Sequence, residues 1–469
     1  MNKEEIIKRI STIFIIVFIQ MVSHVYAGEL SPSLLERLQY VHNEEYLSVI
    51  VRMVDQADLK VATKGIFGRN KALRSRNVIK ELQSTAEVKH EDLVTLLEKE
   101  KSLGKVDNYT SFWIFNGLSI KAIPAVIKKI ASRYDVDIVR LDLPISPADI
   151  VPSTPLETDS HYTWNIERIK APEVWELGID GSGVVVGVFD TGVDVTHPDL
   201  AGKYRGGENS WFDPFEEHTV PVDVSENGHG THVAGIIMGG DVSGKYIGVA
   251  PGVQWIAASS SEDCLESCVH NVFQWFMDPD GNPDTDDGPD VVSNSWYWPI
   301  EGLFGLEHGC ELIFHDDIKA WQMAGIIPVF AAGNFGPCFF TGTTPANYPE
   351  TIAVGNTNFF DIVAWDSSRG PNNCDFRSIF PDICAPGRHI QSSVPNGDYA
   401  YFSGTSMAAP HVTGIIALML DANPDLDIEE ISSILKTTAK PLGFFHPNYT
   451  YGWGRVDALK AVTAALSLE

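Results

Sequence analysis

The stretch VVVGVFDTG at residues 184–192 decides the fold of the larger part of this chain. Residues 184–189 carry no polar side chain, and Asp190 follows them directly. A short apolar run without alternation is typical of a strand buried on both faces, as in a parallel sheet covered by helices. The stretch therefore predicts a buried strand that carries a carboxylate at its carboxyl end.

Further short apolar runs of the same kind lie at residues 255–258, 291–293, 326–332 and 352–354. Helical segments separate them, which is the alternation of an α/β fold. We therefore predict that residues 156–469 form a three-layer α/β domain with a parallel sheet. In such folds ligands and catalytic groups collect at the carboxyl ends of the strands.

Residues 28–143 show a second alternation, in the order β-α-β-β-α-β of a small ferredoxin-like α+β domain. Asn116-Gly117 is the hairpin signal in the middle of this order. The predicted elements are a strand at 46–53, helices within 70–101, strand material at 111–122, a helix at 124–134 and a strand at 136–141.

Residues 144–155 join the two domains and contain prolines at 144, 147, 152 and 155. Proline cannot continue a helix or the interior of a sheet, so this segment is predicted to be an exposed linker.

The N-terminus has the pattern of a secretory signal. Lys3, Lys8 and Arg9 precede the apolar residues 10–21, and residues 25–27 read Val-Tyr-Ala. The competing interpretation is a membrane anchor, but the apolar run is short for a spanning helix. We expect residues 1–27 to be removed, leaving a secreted, extracellular protein without a membrane partner.

Composition narrows the function. The 469 residues are 44% hydrophobic and 20% charged, an ordinary globular balance, and the formal net charge is −28. A phosphate backbone repels such a protein, so nucleic-acid binding is excluded as its main role. We expect a monomer.

Three residue types in ordered motifs indicate nucleophilic catalysis. Ser406 lies in the small-residue segment 403–411, which opens a helix, and a serine hydroxyl needs a neighbouring base to react at neutral pH. His229 is the candidate base, and Asp190 would hold its tautomer. Asn334 ends another strand and would donate to the oxyanion together with the backbone N–H of Ser406.

With these motifs in view, the chain resembles the subtilisin-like serine proteases. The resemblance rests on Asp190-Thr191-Gly192, His229-Gly230-Thr231-His232, Ala332-Gly333-Asn334 and residues 404–411, GTSMAAPH. It extends from about Trp164 to the end of the chain. Residues 255–257, 294–296 and 345–350 look most like the bacillopeptidase F group.

This resemblance implies a serine endopeptidase that needs no cofactor for catalysis and acts on protein or peptide substrates. It also implies that the domain at 28–143 is a propeptide, an intramolecular inhibitor that the enzyme itself cuts off. Two other interpretations stay open: a non-catalytic binding protein on the same scaffold, and a maturation protease dedicated to one partner.

The substrate is expected as an extended strand between residues 260–264 and 295–298, where main-chain pairing gives affinity independent of sequence. Ser295, Trp296, Tyr297 and Gly333 are the predicted substrate-binding residues. The family usually carries glycine where this chain has Tyr297, so we predict a narrowed S1 entrance and a restricted P1 preference.

Two acidic regions are candidates for structural calcium. Asp199 matches a calcium ligand of many subtilisins, although the loop at residues 239–244 departs from the asparagine-rich form of the family. In residues 278–287 oxygen side chains alternate as a hard cation requires, and the candidate ligands are Asp278, Asp280, Asp284 and Asp286. A solvated acidic loop is the other interpretation.

All six cysteines lie in the second half of the chain, at positions 264, 268, 310, 338, 374 and 384. An even number in an extracellular protein favours disulfides over a zinc site, for which the spacing is wrong. Sequence alone leaves the pairing open. We predict one bridge, between Cys374 and Cys384, which would close a short loop.

Overall fold

The computed structural model describes residues 28–63, 71–147, 151–156, 159–261, 263–298 and 310–468. The predicted signal at 1–27 and residues 148–150 of the predicted linker lie outside them. The chain divides into two compact units, one comprising Met1–Ala57 and Leu82–Leu143, the other Asp58–Glu81 and Pro144–Glu469.

The first unit is built on a five-stranded sheet with the order β1-β5-β2-β4-β3. β1 runs parallel to β5, and the other neighbours are antiparallel. In chain order up to residue 141 the elements are β1 (Glu29–Leu30), α1 (Pro32–Tyr40), β2 (Leu47–Met53), α2 (Leu59–Ala62), α3 (Lys71–Ser102), β3 (Val106–Phe112), β4 (Gly117–Ala122), α4 (Pro124–Ala131) and β5 (Val136–Leu141). Of these, α2 and the part of α3 up to Glu81 belong to the second unit.

One apolar core holds the helices of this unit against its sheet. Leu93 and Leu97 of α3 and Ile127 of α4 are buried in it together with residues of the strands. The helical stretch predicted at 70–101 is a single helix. β3 begins at Val106, earlier than predicted, since its residues 107–111 are mostly exposed and polar and gave no apolar signal.

The second unit contains the parallel sheet. Its elements after residue 144 are β6 (Ser146–Pro147), β7 (Val151–Pro152), α5 (Trp164–Ile169), α6 (Ala171–Trp175), β8 (Val185–Asp190), β9 (Trp211–Phe212), α7 (His229–Met238), β10 (Gln254–Ser259), α8 (Glu266–Met277), β11 (Val291–Asn294), β12 (Trp296–Tyr297), α9 (His315–Ala324), β13 (Ile327–Ala331), β14 (Ile352–Thr357), β15 (Ile383–Pro386), β16 (Ile390–Val394), β17 (Asp398–Ser403), α10 (Thr405–Ala422), α11 (Ile428–Thr438) and α12 (Ala458–Leu466).

Seven strands form this sheet in the order β15-β14-β13-β11-β8-β10-β9, all parallel. Val186 and Val188 face a large aliphatic core that includes α7 and α10. Phe189 faces the other way and contacts Phe273 of α8. The predicted three-layer α/β architecture is confirmed.

Two short segments of the predicted linker pair with strands of the second unit. β6 pairs with β12, and β7 pairs with β17. Each pairing covers only two residues at an edge, where a proline without an N–H is tolerated.

The predicted bridge between Cys374 and Cys384 is wrong. Cys374 is bonded to Cys310, with 4.9 Å between their Cα atoms, and Cys264 is bonded to Cys268. Cys384 is fully buried in β15 as a free thiol, while Cys338 is exposed and also free. Sequence proximity misled the prediction, because β15 carries Cys384 into the sheet and away from the loop that holds Cys374.

Within the described part of the chain, no helix has the length and apolar character needed to cross a membrane.

Candidate active site

The carboxyl end of β8 and the start of α7 bring Asp190 and His229 together. Asp190 Oδ1 lies 2.6 Å from Nδ1 of His229, and both side chains are buried. Burial by itself lowers the pKa of His229, but the charge and hydrogen bond of Asp190, with a further contribution from Asp223, outweigh it and raise the pKa. The pair therefore fixes the Nδ1–H tautomer and leaves Nε2 as the basic nitrogen.

Ser406 is the second residue of α10 and is 1% exposed. Its Oγ and Nε2 of His229 are both buried, and neither has a hydrogen-bond partner among the described residues. The catalytic hydrogen bond between a nucleophile and its base is often long in the absence of substrate and tightens when substrate binds. The sheet and α10 bring the nucleophile to the same edge as the Asp190–His229 pair.

Asn334 follows β13 and is held by α10. Its Oδ1 accepts hydrogen bonds from the N–H and the hydroxyl of Thr405, both at 2.9 Å. This assignment makes Nδ2 the donor end of the amide. Nδ2 lies beside Gly404, where an added Cβ would be 3.3 Å away. The donor is thus fixed next to the residue pair Thr405-Ser406.

The four predicted substrate-binding residues play different parts. Ser295 donates from its hydroxyl to the carbonyl of Ser406 at 3.2 Å. Trp296 offers only its main chain, because its ring is buried against Phe189, Phe314 and other core aromatics.

Tyr297 and Gly333 are the other two predicted substrate-binding residues. The ring of Tyr297 meets the ring of Phe335 edge-on, with 5.0 Å between centroids. Gly333 has φ +103°, and a Cβ there would lie 2.7 Å from Thr343, so only glycine fits. Phe335 was not among the predicted residues, although its position next to Asn334 was a signal.

The neighbouring histidines are structural. His232 Nε2 lies 3.2 Å from the carbonyl oxygens of Ile390 and Ala400, and burial lowers its pKa to about 3. Burial likewise lowers the pKa of His411 to about 4. Both are neutral at any pH at which His229 acts as a base.

The acidic loop gathers three carboxylates. Ligand oxygens of Asp278, Asp280 and Asp287 all lie within 4.8 Å of one another, so this cluster could hold a metal ion. Burial, with the charge of Asp280, raises the pKa of Asp287 to about 6. Asp284 is not in the cluster because it pairs with Arg76 and Lys80, each at 2.6 Å, and Asp286 is exposed.

Asp199, the other predicted calcium ligand, is buried and accepts hydrogen bonds on both carboxylate oxygens. Its two oxygens accept hydrogen bonds from the hydroxyl of Tyr399 at 2.6 Å and the N–H of Val242 at 3.0 Å. Lys203 donates to the carbonyl of Met238 in the same region, and burial lowers its pKa to about 8 against the opposing effect of Asp199.

The chain is similar in sequence to several known proteins. Bacillopeptidase F of Bacillus subtilis (strain 168) is 36% identical over 420 residues, which are 82% of this chain but 28% of that protein. Subtilisin E of the same strain is 35% identical over 303 residues, 64% of this chain and 70% of that one. Subtilisin of Bacillus pumilus is 35% identical over 303 residues, 64% of this chain and 98% of that one.

The chain thus spans less than a third of the length of Bacillopeptidase F. A family model is matched by residues 181–454, which carry β8, α7, β13 and α10 and hence all four candidate catalytic residues. The chain belongs to the subtilase family, Peptidase_S8.

Proposed function

We propose that this protein is a secreted serine endopeptidase that hydrolyses peptide bonds through an acyl-enzyme and is made as a self-processing precursor. The observation that carries the proposal is the 2.6 Å contact between Asp190 and Nδ1 of His229, set at the same sheet edge as Ser406 and Asn334. The subtilase relatives support the same chemistry.

In the proposed mechanism, Oγ of Ser406 attacks the carbonyl carbon of the scissile peptide while Nε2 of His229 takes its proton. His229 then gives that proton to the leaving amine, and the C–N bond breaks to leave the acyl group on Ser406. Asp190 stabilises the imidazolium, since it is buried and bonded to Nδ1. Water, activated by His229 in the same way, hydrolyses the acyl-enzyme.

Negative charge on the substrate oxygen is the part of the reaction that needs preorganised donors. Nδ2 of Asn334 is one donor, since Oδ1 is fixed by Thr405. The backbone N–H of Ser406 is the other, because the first N–H groups of a helix have no partner within it.

A fluorophosphonate probe tests this proposal on the secreted protein. Covalent capture at Ser406, found by peptide mapping and absent in the His229→Ala variant, is the expected result. No labelling of a folded, processed protein would favour the non-catalytic alternative. Cleavage of many unrelated denatured proteins would argue against a protease dedicated to one partner.

Self-processing is supported by the path of the linker within the second unit. The N–H of Ile145 donates to the carbonyl of Cys264 at 3.0 Å, and β6 pairs antiparallel with Trp296-Tyr297. This is the strand position predicted for a substrate. After the undescribed residues 148–150, β7 pairs with β17, where Val151 opposes Ser403. The peptide bonds between residues 147 and 151 therefore join a segment paired next to Ser295, which donates to the carbonyl of Ser406, to a segment paired with Ser403, three residues before Ser406.

Among these bonds we place the cut after Ala148. The narrowing of the S1 entrance that we predict from Tyr297, whose ring packs edge-on against Phe335, would favour a small P1 side chain. Ala148 is the first residue after β6, and it is small. The mature protein would then begin at Asp149.

N-terminal sequencing and intact mass of the secreted protein test this site and the removal of residues 1–27 together. The Ser406→Ala variant loses its nucleophile with little change in volume, so it should be secreted with residues 28–148 still attached. Processing of pure Ser406→Ala protein at the same bond would refute self-cleavage. Ala148→Trp should slow processing, whereas Ala148→Ser, which keeps a small side chain at the same position, should not.

A further inference from the structure

Asp223 lies in the loop before α7 and was not among the predicted site residues. Its main chain pairs with the turn that follows Asp190: Asp223 bridges to Gly192, and the N–H of Val224 donates to the carbonyl of Thr191 at 2.8 Å. The same residue reaches α7 through its carboxylate. Asp223 thus joins the two segments that carry Asp190 and His229.

The carboxylate of Asp223 receives hydrogen bonds on both oxygens. Oδ2 accepts from the N–H of Thr231 at 2.8 Å and from its hydroxyl at 2.7 Å. Oδ1 accepts from the hydroxyls of Thr191 and Ser225, each at 2.8 Å. Burial raises the pKa of Asp223, whereas the hydrogen bonds from Thr231, Ser225 and Thr191 lower it. Because every one of these partners donates, they stabilise the ionised carboxylate.

These two hydroxyls are in turn acceptors for the helix. Oγ of Ser225 accepts from the N–H of Gly228 at 3.0 Å and of His229 at 3.1 Å. Oγ1 of Thr191 accepts from the N–H of Gly230 at 2.9 Å. Each hydroxyl can donate to Asp223 and accept these bonds at the same time, since it has one donor hydrogen and two acceptor lone pairs.

The first four N–H groups of α7, from Gly228 to Thr231, are therefore satisfied by Asp223 directly or through one hydroxyl. The helix has no cap of its own, since its N-cap residue is Gly228 in the left-handed conformation at φ +73°. A carboxylate at a helix N-terminus also interacts favourably with the helix dipole. His229 is the first residue of this helix.

We propose that Asp223 is a positioning residue of the catalytic pair, holding the start of α7 against the turn after Asp190 so that His229 and Asp190 stay in hydrogen-bonding register. This rests on the proposed function, in which His229 is the general base. Asp223 acts through Thr191, Ser225 and the backbone and does not touch the substrate.

The negative charge of Asp223 has a second effect, on the basicity of His229. The groups that face the imidazole are Asp190 on β8, Asp223 and the neutral His232 one turn along α7. Asp223 contributes to the raised pKa of His229. Loss of that charge lowers this pKa, so the acid limb of kcat/KM against pH moves to lower pH.

Asp223→Asn tests the proposal because it keeps the carbonyl oxygen and removes the charge. We expect kcat to fall about 10- to 100-fold with KM nearly unchanged, since misplacement by about 1 Å costs up to 100-fold. The acid limb should move to lower pH. Ser225→Ala removes the hydroxyl that accepts from Gly228 and His229 but leaves the charge of Asp223 in place, so it should lower kcat without moving the acid limb. This variant still tests the proposal if Asp223→Asn does not fold.

Asp421→Asn is the matched control. Asp421 also accepts two backbone N–H bonds, at 3.0 and 2.9 Å, but lies 15 residues along α10 from Ser406, about 22 Å away at 1.5 Å per residue. It should change stability alone. The proposal is overturned if Asp223→Asn keeps the kcat and the acid limb of the wild type, or if Ser225→Ala keeps the wild-type kcat. It is also overturned if Asp223→Asn, like Asp421→Asn, loses only stability. Failure of the wild type to react with the fluorophosphonate would instead refute the proposed function.

Discussion

Asn334 has two roles, one for each end of its side-chain amide, and two substitutions can separate them. Its Oδ1 accepts two hydrogen bonds from Thr405, both at 2.9 Å, while Nδ2 is the proposed oxyanion donor. Asn334→Ala removes both functions. Asn334→Asp keeps the acceptor at the start of α10, where a negative charge is favourable, and removes the donor.

The expected magnitudes follow from these contacts. Loss of one oxyanion donor lowers kcat about 10²- to 10³-fold, a range that was itself obtained from a subtilisin. KM should change little, because the donor acts only on the transition state. Loss of the two bonds to Thr405 should cost Asn334→Ala about 1–3 kcal/mol of unfolding free energy, at about 0.5–1.5 kcal/mol for each. Asn334→Asp should stay within about 0.5 kcal/mol of the parent.

The assay is steady-state cleavage of a peptide amide by the processed variants, with denaturant unfolding measured in the Ser406→Ala background to prevent autolysis. In kcat, Asn334→Asp should be at least as impaired as Asn334→Ala, since its carboxylate repels the oxyanion. If Asn334→Ala keeps kcat within about threefold of wild type, the oxyanion role is wrong. If both variants lose the same stability, the anchoring role of Oδ1 is wrong.

Three further perturbations address the S1 entrance, a buried ion group and the acidic loop. In a peptide-library profile, Tyr297→Gly should cleave after large aromatic P1 residues that the wild type disfavours. If the wild type already cleaves equally well after small and large P1 residues, the predicted narrowing of the S1 entrance is wrong. His270 is fully buried between Asp317 at 2.8 Å and Glu266 at 3.3 Å, and although burial lowers its pKa, these carboxylates raise it to about 9. Because the folded pKa lies above the unfolded value of about 6.5, this stabilisation is complete below about pH 6.5 and is lost as the pH rises through 9; a His270→Gln variant that shows the same decline in unfolding free energy would disprove the assignment. Burial and Asp280 raise the pKa of Asp287 to about 6, so its ionisation costs stability as the pH rises through 6. Above that pH Asp287→Asn should be the more stable protein without calcium, and roughly 1 mM calcium should raise the melting temperature of the wild type alone; no shift in either protein would favour a solvated loop.

The sequence by itself determined the layered fold and the four candidate catalytic residues. Each of these residues stands in a local pattern: Asp190 ends an apolar strand, Asn334 follows another, and His229 and Ser406 open helices made of small residues. For Asp190 and Asn334, strand order needs no separate prediction, because the carboxyl ends of parallel strands share one edge.

Only the tertiary structure decided the features that join distant segments. Trp296 looks like a cleft residue in sequence but is held in the core by aromatic rings from several other elements. The two disulfides, the pairing of the linker with β12 and β17, and the capping of α7 by Asp223 likewise depend on segments that meet in space. The physical reason is that local patterns record how much of a side chain is buried and with what period, whereas hydrogen bonds and bridges depend on distances between chain segments that only packing sets.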